Sequence, residues 1–280
     1  MVKFSESFDE IKKDFDRNHI PSREPGFYDH QNFVRVERSN RDYLLNYARF
    51  VQTRAYTQDY IERAISEIPF ITSIINQELI QDGRKGACVD VSMVLSRILE
   101  AEGFWNYIVN GSVVLNFAEH THLSSKYFWA VDYINKHING HVWVVAPPFS
   151  IIDATINLQP YLEGEEAYIP NLIVSVSSIT SPVEIDDILS PAFRSKLPVG
   201  VNTPSLISRY IQNPHWYTIT DTFPTTIIEE QNVSLKYIPY SIHAPDRSLQ
   251  GIGSLILSGK KPYELYQKVV KPALRERRRL

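Results

Sequence analysis

Between Val91 and Asp153 the chain changes its hydrophobic period once, and that change limits the folds open to it. Val91, Val94, Leu95, Ile98 and Leu99 share one face of a helix, and Gly103 is its stop signal. Beyond it the apolar runs are short, β-branched and aromatic. Trp105–Phe117, Tyr127–Tyr133, His141–Ala146 and Phe149–Asp153 read as strands. Pro147 and Pro148 cannot continue a ladder and mark a turn between the last two. The order is a helix and then an antiparallel sheet, so the expected fold class is α+β.

Upstream, Phe4, Phe8, Ile11 and Phe15 step by four, three and four, which predicts an amphipathic helix. Residues 18–40 read as irregular. Tyr43 to Tyr56 and Thr57 to Gln81 read as two helices leading to the polar loop Asp82-Gly83-Arg84-Lys85-Gly86. Beyond residue 160, Glu163-Gly164-Glu165-Glu166 is an acidic turn, and Leu172–Ser178, Trp216–Thr222 and Val233–Ile238 are strand candidates. Prolines at 204, 214, 224, 239 and 245 favour short strands and loops there. Pro262 opens a last helix that Pro272 is expected to end or kink. The expected organisation is N-terminal helices and a catalytic core over 1–160, a β-rich extension or lid over 161–258, and a basic C-terminal helix over 259–280.

Composition removes several function classes. A hydrophobic content of 43% over 280 residues is ample for a core. The apolar runs are too short to cross a bilayer, and Lys3, Glu6, Asp9 and Glu10 break any signal-peptide pattern. With one cysteine and no export signal, a cytoplasmic location and no membrane partner are expected. Residues 260–280 hold eight Lys/Arg against two Glu. Glu276 interrupts the run Arg275–Arg279, so the tail is expected to be a solvated end, and nucleic-acid binding is not expected. His120-Thr121-His122, followed by His137 and His141, comes nearest to a metal set. It lacks a Cys pair, a His-Glu-x-x-His pattern and acidic ligands at known spacing. Neither a metal nor a cofactor is expected.

Cys88 is the only cysteine, so it serves packing or reactivity and cannot close an intramolecular disulfide. Its place in Gly86-Ala87-Cys88-Val89-Asp90 puts it in the first turn of the helix. Unpaired backbone N–H groups and the macrodipole favour an anion there. Arg84 and Lys85 add positive charge in the same loop, and such surroundings favour a thiolate. The thiol is expected to face a cleft bordered by the polar loop Ala118–Lys126. Asp90 is read as a favourable first-turn acid.

A thiolate that does acyl chemistry needs a proton carrier and a group to orient it. In a hairpin centred near Pro147, His141 and Asp153 would sit directly opposite on one face, with Cβ atoms roughly 5 Å apart. An imidazole–carboxylate hydrogen bond spans that gap. For the oxyanion, the Cys88 backbone N–H is one expected donor, and the Gln81 side chain is the other.

Gly86-Ala87-Cys88-Val89-Asp90-Val91-Ser92, Leu95, Leu99, Gly103-Phe104, Gly140-His141-Val142-Trp143 and Asp153-Ala154-Thr155 together resemble the transglutaminase-like superfamily. This papain-related group also holds arylamine N-acetyltransferases and many bacterial cysteine hydrolases. The resemblance covers roughly residues 70–160. It implies a helix that carries the nucleophile, packed on an antiparallel sheet. It also implies Cys88 as nucleophile, His141 as general acid and base, and Asp153 as the residue orienting the imidazole. Val89 stands where the animal crosslinking enzymes have tryptophan, and no calcium loop is visible, so protein crosslinking is not implied.

The function expected is acyl transfer on an amide, peptide or thioester of a protein, a peptide or a small molecule. The acyl-enzyme would be resolved by water, as in a protease or amidase, or by an amine, as in an acyltransferase. The rival from another class is a binding or scaffold protein that keeps this fold without turnover.

Overall fold

A computed structural model describes residues 7–132, 140–177, 179–201, 204–211 and 216–279. The chain is α+β, and an antiparallel sheet forms its centre. The strands are β1 (Tyr107–Phe117), β2 (Lys126–Phe128), β3 (His141–Ala146), β4 (Phe149–Asp153), β5 (Ile173–Ser175), β6 (Thr226–Glu229) and β7 (Val233–His243). They run in the order β5-β4-β3-β1-β7-β6, with β2 paired to β1 beside this path. Just beyond β5 the chain meets the other edge. The Ile227 N–H donates to the Ile179 carbonyl at 2.9 Å, and Thr180 bridges Thr226. The sheet is therefore nearly a barrel. No free edge remains at that point to recruit another strand.

Three of these strands come from beyond residue 160, so the sheet does not break at the expected domain limit. β7 extends past the expected Ile238 because Pro239 sits at an irregularity. The pairing passes from Gly111↔Pro239 to Asn110↔Ser241, so the ladder skips a residue where proline has no N–H to give. Gly111 is obligatory at this crowded point. A Cβ there would lie 2.0 Å from the Ile238 carbonyl oxygen and 2.6 Å from Trp143.

The inner face of the sheet carries Tyr107, Val109, Trp143, Ile151, Leu235 and Tyr237. They share one apolar core with α1 (Phe8–Arg17), α2 (Gln31–Ser39) and α3 (Leu44–Thr53), and α3 lies directly on β1 and β7. α1 starts with a capping box between Ser7 and Glu10 and buries Ile11 and Phe15 fully, whereas Phe4 lies outside the described residues. α2 occupies a stretch read as irregular. It buries one residue, Phe33, so its sequence has no three-four stripe to reveal it.

Trp216–Thr222, expected as a strand, is a helix, α6. Trp216, Ile219 and Phe223 are buried at helical spacing, and that packing overrides the strand preference of the intervening Tyr and Thr residues. β6 escaped notice because it is short and ends in acids.

The outer face, with Ile108, Val142, Val144 and Ile152, packs on α4 (Gln58–Asp82) and α5 (Cys88–Ala101). α4 is capped by Thr57 and ends at Gly83, whose φ of 72° suits a residue without a Cβ. Pro262–Leu265, a π-helical turn Tyr266–Val270 and Lys271–Arg277 then run on as one C-terminal helix. The π turn changes the local hydrogen-bond register, and the helix passes through Pro272 rather than ending there.

The tail is not a solvated end. Leu274 is fully buried. Arg278 grips Glu67 of α4 through two hydrogen bonds of 2.8 and 2.7 Å and reaches Glu102 at 2.7 Å. The Glu67 and Glu102 side chains are almost fully buried, whereas Arg278 is 40% exposed. Removing residues 275–280 is expected to cost about 1–3 kcal/mol, because enclosed Glu67 loses its partner and Glu102 keeps only the Tyr266 hydroxyl, while solvent screens part of the gain. Urea unfolding checks this, and an unchanged midpoint would return the tail to a passive role.

Candidate functional site

Cys88 is the first residue of α5, and Ala87 before it offers no side-chain cap. The first-turn N–H groups of Cys88, Val89 and Asp90 therefore stay free of intrahelical partners. Two contacts fix this helix end. Ser92 Oγ, one turn on, donates to the Val142 carbonyl of β3 at 3.1 Å. The Gly86 N–H donates to the Leu158 carbonyl, just after β4, at 2.8 Å. The start of α5 and the loop before it are thus tied to β3, which carries His141, and to the short turn that follows Asp153.

The hairpin register differs from the expected one. Val144 pairs with Ile152 and Ala146 with Phe149, so the two-residue turn is Pro147–Pro148 and a bulge follows. His141 is then a diagonal neighbour of Asp153 on the shared face instead of its direct partner. The imidazole bridges the difference, with Nε2 at 2.5 Å from Asp153 Oδ2. His141 is fully buried and Asp153 is 1% exposed.

β2 and β3 follow one another along the same side of β1. β3 takes Tyr107 to Gly111 and β2 takes Val113 to Leu115. His141 stands at the gap between them, where the Phe128 ring lies 6.1 Å away. There the thiol, carried on the outer-face helix, meets the ring presented by the inner face. Nδ1 of His141 is buried without a protein hydrogen bond of ordinary geometry, and the Cys88 thiol acts on the same ring.

Asp153 is held at every corner. Oδ1 accepts from the Thr155 backbone N–H at 2.9 Å and from its hydroxyl at 2.9 Å. Oδ2 accepts from Tyr237 Oη at 3.0 Å as well as from His141. Burial alone would raise this carboxyl, but the imidazole charge and these donors outweigh it, so its pKa stays below the usual range. Burial likewise pushes His141 down. The Asp153 charge and hydrogen bond, with help from Cys88, more than reverse that and push the imidazole up to about 10. At neutral pH the pair is an imidazolium and a carboxylate.

Other expected parts are placed differently. Gln81 is exposed in the last turn of α4, so the side-chain donor expected there is not carried forward. Arg84 turns to the Ile256 carbonyl and to Asp82, and the cation close to the thiol is His141 instead. Cys88 is more enclosed than a cleft-facing thiol should be, at 8% exposure, and sits among the apolar contacts of α5. Asp90 accepts from Ser254 Oγ at 2.7 Å and anchors a distant loop.

His120 and His122 lie in and just after a short 3-10 turn, not on a strand, and His120 contacts Asn232. His137 lies outside the described residues. Among the described residues no three His, Cys, Asp or Glu side chains converge to hold a metal ion, and no helix is long and apolar enough to cross a membrane.

Sequence reasoning missed Tyr237 and gave no role to Thr155. The Asp-x-Thr pattern of Asp153 to Thr155 was a usable local signal, since such carboxylates bond the N–H two residues on. Comparison with known proteins finds no matching family model, no matching curated protein and no matching solved structure.

Proposed function

We propose that the chain is a transglutaminase-like cysteine enzyme of the cytoplasm that transfers acyl groups through Cys88, His141 and Asp153. One observation carries the reading. A fully buried imidazole hydrogen-bonds a carboxylate through Nε2, while Nδ1 makes no hydrogen bond of ordinary geometry and the only thiol in the chain, Cys88, acts on the same ring. A structural histidine in a core would have both nitrogens satisfied.

In this mechanism the Cys88 thiolate attacks the carbonyl carbon of an amide, peptide or thioester. The carbonyl oxygen takes the negative charge beside the free N–H groups of the α5 terminus. His141 gives its proton to the departing amine or thiol as that bond breaks, leaving a Cys88 thioester. Water or an amine then attacks, His141 takes up its proton, and the thiolate leaves. Asp153 keeps the imidazole oriented and balances its charge. The enclosure of Cys88 favours a second reading, a binding protein that keeps the fold without turnover.

Alkylation separates the two. Because Cys88 is the sole thiol, an iodoacetamide adduct that disappears in Cys88→Ala belongs to it. The expected result is rapid labelling at pH 6 that slows at least about tenfold in a folded His141→Gln variant. An activated ester such as p-nitrophenyl acetate should likewise leave an acyl adduct that water or an added amine removes. Slow labelling indifferent to His141→Gln, with no acyl adduct, would favour the binding protein.

A further inference from the structure

The inner face of the sheet lines a half-open pocket of about 250 Å³ that does not include the triad. Its walls are Tyr107 and Val109 of β1, Trp143 and Val145 of β3, Tyr237 of β7, and Phe223 at the end of α6. Side chains from β4, next to one end of the strand order, and from β6, at the other end, also meet there, so the space lies within the curve of the near-barrel. Exposed Gln52 and Pro224 stand at its mouth beside the Pro147–Pro148 turn. Well-packed interiors hold few voids larger than a water molecule. An apolar cavity of roughly 150 Å³ already admits benzene, so this one has room for a second ring.

The lining is selective in chemistry. It contains no Asp, Glu, Lys, Arg or His, which excludes a charged ligand on desolvation grounds. The Tyr237 hydroxyl already donates to Asp153. Tyr107 is 4% exposed, and no described residue hydrogen-bonds its hydroxyl. Burial pushes its pKa up, so it remains a neutral donor. Gln52, Ser150 and Thr226 add polar groups to the lining, and the Ser150 hydroxyl is already turned to the Ser175 and Ser177 carbonyls. The remaining walls are mostly aromatic and apolar and suit a small flat molecule.

We propose that this cavity is a binding site for a neutral two-ring aromatic molecule with a single hydrogen-bonding oxygen, which pairs with the Tyr107 hydroxyl while its rings stack between Trp143 and Phe223. The site stands apart from the acyl-transfer reading, and its test reads no turnover.

The probe is 2-naphthol, titrated into the full chain by calorimetry and followed in parallel by thermal unfolding. One-site binding and a higher Tm are expected. Tyr107→Phe keeps the shape and should weaken 2-naphthol roughly five- to tenfold, the effect of one lost hydrogen bond. Val109→Phe fills the cavity and should abolish binding. If that variant does not fold, Phe223→Trp narrows the same space from α6. Three results would overturn the proposal: no binding by the wild type up to the solubility limit of 2-naphthol, unchanged affinity in a folded cavity-filling variant, or unchanged affinity in Tyr107→Phe.

Discussion

Alanine at position 88 is expected to abolish acyl transfer, by more than about 10⁴-fold, while the free energy of unfolding moves by less than about 1.5 kcal/mol. The first effect follows from chemistry. No other thiol exists in the chain, so neither the thioester nor its proton bookkeeping survives the change. The second follows from place. Cys88 starts α5 and is a small buried member of its apolar cluster, so trading sulfur for hydrogen removes one atom's contacts and opens little space. Hydrolysis of an activated ester and urea unfolding measure the two quantities. Undiminished turnover would eliminate Cys88 as nucleophile. A loss of several kcal/mol with turnover already absent in the wild type would make it a packing residue.

Asparagine at position 153 should act on both quantities. It is expected to destabilise the chain by about 3–5 kcal/mol, the typical effect of removing one partner from a buried ion pair. His141, the Thr155 backbone, the Thr155 hydroxyl and Tyr237 all aim donors at this carboxylate. An amide presents its own N–H groups to some of them and carries no charge to balance the imidazolium. Turnover should fall by about 10²–10⁴-fold as the base loses its orientation.

The pH dependence gives a sharper signature. Because the folded His141 pKa is raised from 6.5 to about 10, its contribution is complete below pH 6.5 and fades as pH climbs toward 10. Asp153 is lowered from 3.8, so its contribution is complete above that value and fades as pH falls further. The wild type should therefore lose stability between pH 6.5 and 10, and the gap to Asp153→Asn should narrow over that range. A gap that stays constant from pH 6 to 10 would mean that the two groups are not an ion pair.

Much of this site could be read from the sequence because its pieces are local. The helix from Val91 to Leu99, the strand after Gly140 and the strand ending at Asp153 each announce themselves within a few residues. The register between the strands did not, because a bulge near a two-residue turn shifts the pairing without changing which residues share a face. His141 and Asp153 therefore meet even though the expected alignment was displaced.

Tyr237 illustrates the other limit. Only the pairing of β7 with β1 brings it to Asp153, and no short-range pattern encodes that partnership. The same holds for Arg278, whose tail reads as loose charge in sequence while Glu67 and Glu102, distant along the chain, lie beneath it. Trp216–Thr222 failed for the opposite reason. Its strand-like composition outweighed a helical spacing that the buried residues obey.

The pairing of Val113 with Tyr237 also sets the order in which the molecule can be made. Contacts so distant along the chain cannot form until the later segment exists, and long-range pairing is the slow part of folding. During synthesis Cys88, His141 and Asp153 emerge well before β7, whose hydroxyl completes the cradle of the carboxylate. The C-terminal helix, which covers α4 and α5 through Leu274 and Arg278, arrives later still. A growing chain thus carries Cys88, His141 and Asp153 before it holds the Tyr237 hydroxyl and the C-terminal helix, and those contacts close only once the later segments have emerged.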